Sequence, residues 1–289
     1  MPKPELLVST DIVGAFGNPN WAKKLYPFFA QNEQLSVELL AWKYLAQYPH
    51  LVEKNKLSVV GIHGPTGSPK DAPSLIEKSK AVIIDQLTAD LELALSARPE
   101  LFDHRKRNYF LVHEPELRTK EKISLIAKQP IQTHVLVENV LDIGSLDKTV
   151  EKIKLLQHHD VSAGIMLDLV HLLKELTQSL ITLQTLDVKV FDQVWRTTLA
   201  KIQTTINDLP KSGLHIPIGE NGDSLPLHLM TDQHWQDLAQ VIGSLGENIQ
   251  WLVFENQQKK ALVTHPKDFD QIAERNKRIT GQIAENGVF

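Results

Sequence analysis

Six ionisable side chains each close an apolar run in this 289-residue chain: VVGI-His63, FLV-His113, LV-Glu138, GIML-Asp168, GL-His215 and WLVF-Glu255. Two short pairs accompany them, Asp168-x-x-His171 and Asp232-x-His234. A carboxylate withdrawn from water without a partner is costly, so acids in such places need a cation or a dense hydrogen-bond network. Imidazole together with carboxylate is the ligand chemistry of zinc, manganese, cobalt and iron sites. The spacing of Asp168 and His171 sets both on one side of a helical turn, facing a common centre. The joint pattern points to a shared divalent-metal site, with the ion and its number left open.

Each residue also has a plainer reading. A single His at a strand end is commonly a capped or solvated residue. Glu138 or Glu255 alone could be half of a structural ion pair. Asp232 and His234 could open a helix, where an acidic first turn suits the dipole. Asn139 and Asn256 follow the two glutamates, either orienting ligands and substrate or serving as turn residues. His134 at the start of its strand, and His158, His159 and the solvated charge run Arg105-Lys106-Arg107 ahead of theirs, belong to the opposite end of the molecule. His228 either reaches the site or flanks a helix.

The elements that must position these residues alternate along the chain. Candidate strands are Leu6–Val13, Leu35–Leu40, Leu57–His63, Asn108–His113, Thr133–Asn139, Ser162–Asp168, Gly213–Ile218 and Gln250–Glu255. Runs such as LSVVGI, THVLV and IQWLVF are nearly continuous in apolar residues, as strands covered on both faces must be. Between them SLIEKSKAVIIDQLTADLELALSA, DKTVEKIKLLQ and HWQDLAQVIGSL repeat apolar residues at spacings of three and four. Asp147 and Thr231 stand where helix N-caps would be useful. Eight strands alternating with helices predict a parallel eight-stranded (β/α)8 barrel, a TIM barrel, as one domain over residues 1–289. Extra helices are expected in the long crossovers after the third and sixth strands. An open doubly wound sheet would want a Gly-rich loop after its first strand, and DIVGAFGNPNW does not supply GxGxxG. In a barrel the loops after the strands share one rim, which is where all six strand-end residues would meet.

Composition narrows the chemistry. Cysteine is absent, which excludes disulfides, thiolate metal sites, iron–sulfur clusters and cysteine nucleophiles. Lys plus Arg number 31 against 35 Asp plus Glu, a formal charge of −4 that disfavours nucleic acid as a partner. The opening MPKPELLVSTDIVG has no basic stretch leading into an apolar one, and no run reaches the roughly 18 apolar residues that span a bilayer. A cytoplasmic protein without membrane contact is expected. The oligomeric state is not legible.

The ordered set His63, His113, Glu138, Asp168-x-x-His171, His215, Asp232-x-His234 and Glu255 resembles the xylose isomerase-like TIM-barrel superfamily. That group includes endonuclease IV, of AP endonuclease family 2, and many sugar isomerases and epimerases. Its sugar-acting members hold a divalent metal through Glu, Asp, His and Glu from successive strands, which implies Glu138, Asp168, His215 and Glu255 as ligands. The resemblance also implies proton transfer by Glu138 and Glu255. Endonuclease IV adds ligands that His63, His113, His171, Asp232 and His234 resemble, implying a site for several zinc ions. VENVLDIGS is similar to its Glu-Asn loop around Glu138. Elsewhere the loops differ: HIPIGENGDSLPLHLMTDQHW lacks both the Leu-Asn-Asp element of endonuclease IV and the Arg and Pro-Gly-x-Gly of the epimerases.

Three functions follow as expectations. One is an endonuclease IV-like phosphoesterase, with His171 among its catalytic residues and a small phosphoester as substrate. Another is an isomerase or epimerase acting on a sugar, sugar phosphate or polyol, with His63, His113 and Asn139 contacting the carbohydrate. The last is a non-catalytic barrel with a structural or lost metal. The first leads narrowly.

Overall fold

The computed structural model describes residues 3–9, 35–40, 52–54, 56–63, 102–103, 105–113, 117, 123–124, 126, 134–140, 145–177, 183–219, 224–257 and 266–285. Eight strands are formed: β1 (Glu5–Ser9), β2 (Leu35–Leu40), β3 (Leu57–His63), β4 (Tyr109–His113), β5 (His134–Glu138), β6 (Ala163–Asp168), β7 (Ser212–Gly219) and β8 (Ile249–Gln257). Each pairs in parallel with its neighbours in sequence, and β8 returns to β1, closing the sheet into a barrel in the order β1 to β8. The helices are α1 (Ser145–His158), α2 (Leu169–Leu176), α3 (Val188–Asp208), α4 (Asp232–Leu245) and α5 (Pro266–Glu285). The fold is the predicted (β/α)8 barrel.

Alternation along each strand builds the interior in layers, because successive side chains point to opposite faces. Leu7, Val60, Tyr109, Leu111, Leu136, Met166, Trp251 and Val253 form an apolar plug within the barrel. Two residues further along (three on β3, where the register slips at Val60), the same faces carry Ser9, His63, His113, Glu138, Asp168 and Glu255, all buried. The intervening positions, such as Val112, Val137, Leu167, Leu214 and Phe254, belong to the larger core shared with Ile153, Trp195, Ile202, Trp235 and Leu238 of the helices. The strand sequences are apolar throughout since both faces are covered.

The crossover after β6 contains α2, a 3-10 turn at Leu183–Thr185 and α3, so the extra helix expected there is present. The crossover after β3 lies largely outside the described residues, as do positions 10–13 of the first predicted strand. Thr231 caps α4 as expected, accepting a hydrogen bond from the His234 backbone. Asp147 does not cap α1. That helix starts at Ser145, which places Asp147 in its first turn, where a negative charge still suits the dipole.

Arg105-Lys106-Arg107 is more than a solvated charge run. Lys106 Nζ reaches Glu5 Oε1 at 2.5 Å, Arg105 pairs with Asp103, and the Arg107 carbonyl accepts from the Trp251 indole at 2.8 Å. These bonds clasp β1, β4 and β8 at the rim opposite the strand ends.

Candidate metal centre

At the C-terminal rim Glu138, from β5, is the meeting point. Its Oε2 lies 2.9 Å from His113 Nε2 and 3.4 Å from His63 Nε2. Its Oε1 lies 3.0 Å from His215 Nδ1. The same His215 nitrogen stands 3.5 Å from Glu255 Oε1. Register explains the convergence: His113 is paired with Glu138 across β4 and β5, and Asp168 with His215 across β6 and β7. Among the described residues, ligand atoms within 4.8 Å of one another form three groups: His63, His113 and Glu138; Glu138, Asp168 and His215; and Glu38, His215 and Glu255.

Asp168 ends β6 and caps α2, its Oδ1 accepting the His171 backbone N–H at 2.8 Å. Asn139 is buried and joins β5 to β6: its Oδ1 accepts from Asp168 N at 2.7 Å, and its amide faces the Asp168 carbonyl at 3.4 Å. That side chain bonds backbone, which fits an orienting role rather than substrate contact. His171 donates through Nδ1 to the Asn139 carbonyl at 2.8 Å, leaving Nε2 as its acceptor nitrogen. It lies beside the cluster, with Nδ1 3.9 Å from Asp168, and belongs to none of the three groups.

The Asp232-x-His234 pair is not brought to the centre. Asp232 is exposed in the first turn of α4. His234 turns back, its Nδ1 accepting from the Thr231 N–H at 2.9 Å to complete a capping box, while Nε2 faces Asp192 of α3 at 3.1 Å. Its ring packs edge-on against Phe191 and Trp195. The pair opens a helix and packs α3 on α4, the alternative the sequence already offered. His228 is exposed, and the side chain of Asn256 lies outside the described residues.

One site residue escaped the sequence reading. Glu38, in the middle of β2, is 0% exposed and points into the barrel. Its Oε2 accepts from Tyr109 Oη at 2.5 Å and faces His215 Nε2 at 3.1 Å. A cue was available in the alternation of LSVELL, where Leu35, Val37 and Leu39 form one face and Ser36 and Glu38 the other. Gly61 makes the arrangement possible, because a Cβ there would lie 2.3 Å from the Tyr109 ring. The β2–β3 register slips at this level, Val37 pairing with Val59 and Glu38 with Gly61, as a Gly within a strand often signals.

The electrostatics follow from burial. Burial opposes the charged ring of His215, yet the Glu38, Glu255 and Glu138 carboxylates hold its pKa well above the usual histidine value. Burial pushes Glu138 up, but His215, His113 and His63 reverse this and hold it well below the carboxylate range. Glu38 is likewise held low, against its burial, by His215, His63 and Tyr109. Glu255 is pushed up to about 7 by burial and by the Asp168, Glu138 and Glu38 charges, despite His215. Four acids therefore share too little positive charge for all to ionise. A divalent cation would relieve that excess, and imidazole with carboxylate is a suitable donor set. The residues fit a metal.

The likeness to solved structures is one of fold. An endoxylanase of glycoside hydrolase family 10 from a sugarcane soil metagenome matches at 9% identity over 88% of this chain and 86% of that one, with a TM-score of 0.50. A xylose isomerase domain protein from Alicyclobacillus acidocaldarius matches at 11% over 98% and 99%, with a TM-score of 0.46. An AP endonuclease of family 2 from Brucella melitensis matches at 14% over 88% and 92%, with a TM-score of 0.44. No protein-family model and no curated protein matches the chain.

Proposed function

We propose that the chain is a divalent-metal-dependent phosphoesterase acting on a small phosphoester. One observation carries this reading: Glu138 presents its two carboxylate oxygens to two different donor groups. His63 and His113 lie on one side, His215 and Asp168 on the other. A carboxylate so placed can bridge a pair of cations. His63, His113 and Glu138 would hold one ion; Glu138, Asp168 and His215, with Glu255 beside them, would hold the other. When bound, such ions supply Lewis acidity, lowering the pKa of a water and offsetting charge on phosphoryl oxygens. Glu255, pushed up to about 7 by burial and the neighbouring carboxylates in the metal-free centre, would be held as a carboxylate beside the ion once a cation relieves that excess. His171 keeps Nε2 as an acceptor at the edge of the cluster. Asp232 and His234 of α4 take no part, so this reading involves two ions rather than the three of endonuclease IV. The formal charge of −4 favours a small substrate over DNA.

A second reading has its own observation. In the metal-free centre Glu138 is held low by its histidines while Glu255 is pushed up to about 7, so the two carboxylates that face His215 Nδ1 stand in different electrostatic surroundings. That separation suits proton transfer on a sugar, sugar phosphate or polyol, with one ion held by Glu138, Asp168, His215 and Glu255 and with His63 and His113 orienting hydroxyls. Elemental analysis of the purified protein, followed by assays with a nitrophenyl phosphodiester and a ketose panel, separates the two. Two ions per chain and phosphodiester turnover support the first reading. One ion with ketose isomerisation replaces it with the second.

A further inference from the structure

We infer that Glu38 is a positioning residue that presents His215 to the metal through Nδ1, with Tyr109 holding Glu38 in place. The inference rests on the metal-centre reading above. The two nitrogens of His215 face opposite surroundings. Nδ1 looks toward Glu138 at 3.0 Å and Glu255 at 3.5 Å, within the group that also includes Asp168. Nε2 looks away, toward Glu38 Oε2 at 3.1 Å. A ligating imidazole offers one nitrogen to the metal and keeps its proton on the other, and the hydrogen bond at the protonated nitrogen fixes ring orientation and basicity. Glu38 occupies that second position.

Its own placement is enforced. Glu38 and His215 are both 0% exposed, so neither can exchange its partner for bulk water. The Tyr109 hydroxyl donates to the same Oε2, and Tyr109 is fully buried in the plug beneath the site. With its pKa raised by burial and by the Glu38 charge, Tyr109 stays a phenol and therefore a donor. The chain Tyr109–Glu38–His215 thus runs from the barrel core to the centre. It draws on β4, β2 and β7, and its members are separated by 71 and 177 positions in the sequence.

The test is zinc binding by the full-length chain. Calorimetric titration of wild type, Glu38→Gln and Tyr109→Phe is combined with nitrogen-15 spectra of the histidine side chains in the zinc-loaded protein. Loss of a carboxylate behind a ligating histidine weakens metal binding by roughly ten- to a hundred-fold. Glu38→Gln should show that loss with unchanged circular dichroism, and Tyr109→Phe a smaller loss in the same direction. In wild type the His215 spectrum should show zinc on Nδ1 and the proton on Nε2. Wild-type affinity in both variants, or zinc on Nε2 with Glu38 as a direct ligand, overturns the positioning role and leaves the metal centre standing. Failure of wild type to take up zinc, manganese, cobalt or iron overturns both.

Discussion

His113 Nε2 stands 2.9 Å from Glu138 Oε2, on the opposite carboxylate oxygen from the one that faces His215. If that carboxylate bridges two cations, variants at the two positions should differ in stoichiometry. His113→Ala removes a ligand from one ion only, and metal content should fall from two per chain to one. Glu138→Gln removes a ligand from both and should bring the content toward none. Elemental mass spectrometry on dialysed protein reads the result. An equal loss in the two variants would count against the bridge.

His234 and Asp192 make the contrasting case. Their 3.1 Å contact packs α3 against α4, and His234 Nδ1 completes the cap at Thr231. His234→Ala should therefore leave metal content and turnover unchanged while lowering stability. Loss of an N-terminal cap costs about 0.5–2 kcal/mol, and Thr231→Ala should fall in the same range. Urea unfolding with excess metal present checks both. A drop in metal content in His234→Ala would return this residue to the centre.

The strand-end residues were legible because a parallel barrel imposes simple rules. Strands buried on both faces read as apolar runs, and a polar residue closing such a run faces the shared rim. Those rules find His63, His113, Glu138, Asp168, His215 and Glu255 from spacing alone. They miss Glu38, which is followed by Leu39 and Leu40 and so does not close its run. Only the alternation within β2, with the slipped register at Gly61, turns it inward. Asp232 and His234 fail for a different reason. Metal ligands and helix caps draw on the same residue types, and a backbone cap three residues upstream of a His competes locally with a distant ion. Thr231 won that competition.

Gly61 supports the site without touching it. A Cβ at this position would lie 2.3 and 2.7 Å from Tyr109 ring carbons and 2.5 Å from its hydroxyl oxygen, and the ring is enclosed by the buried plug. Gly61→Ala should cost about 1–3 kcal/mol, the usual penalty for an overpacked core. Displacing the ring should also break the Tyr109–Glu38 hydrogen bond, so zinc affinity should fall in step with stability. A Gly61→Ala protein with unchanged unfolding midpoint and affinity would show that the ring has room to move.

His134 gives the barrel a pH dependence separate from its C-terminal rim. The side chain lies at the start of β5, stacked on Trp251 at 5.5 Å, with Nδ1 2.8 Å from Ser162 Oγ. Burial lowers its pKa from 6.5 to about 4, against a hydrogen bond to the Lys211 backbone that raises it. The folded state therefore keeps this ring neutral where the unfolded chain would protonate it. Between those two values the unfolded state binds more protons, so stability falls as pH drops. The contribution is complete above about pH 6.5 and lost by about pH 4; a shift of this size corresponds to up to about 3 kcal/mol. Other groups titrate in the same window, so the informative quantity is the difference between wild type and His134→Gln. Wild type should lose stability relative to the variant as pH is lowered from 7 to 4, whatever offset separates them at neutral pH. Curves that stay parallel would place the histidine in contact with solvent.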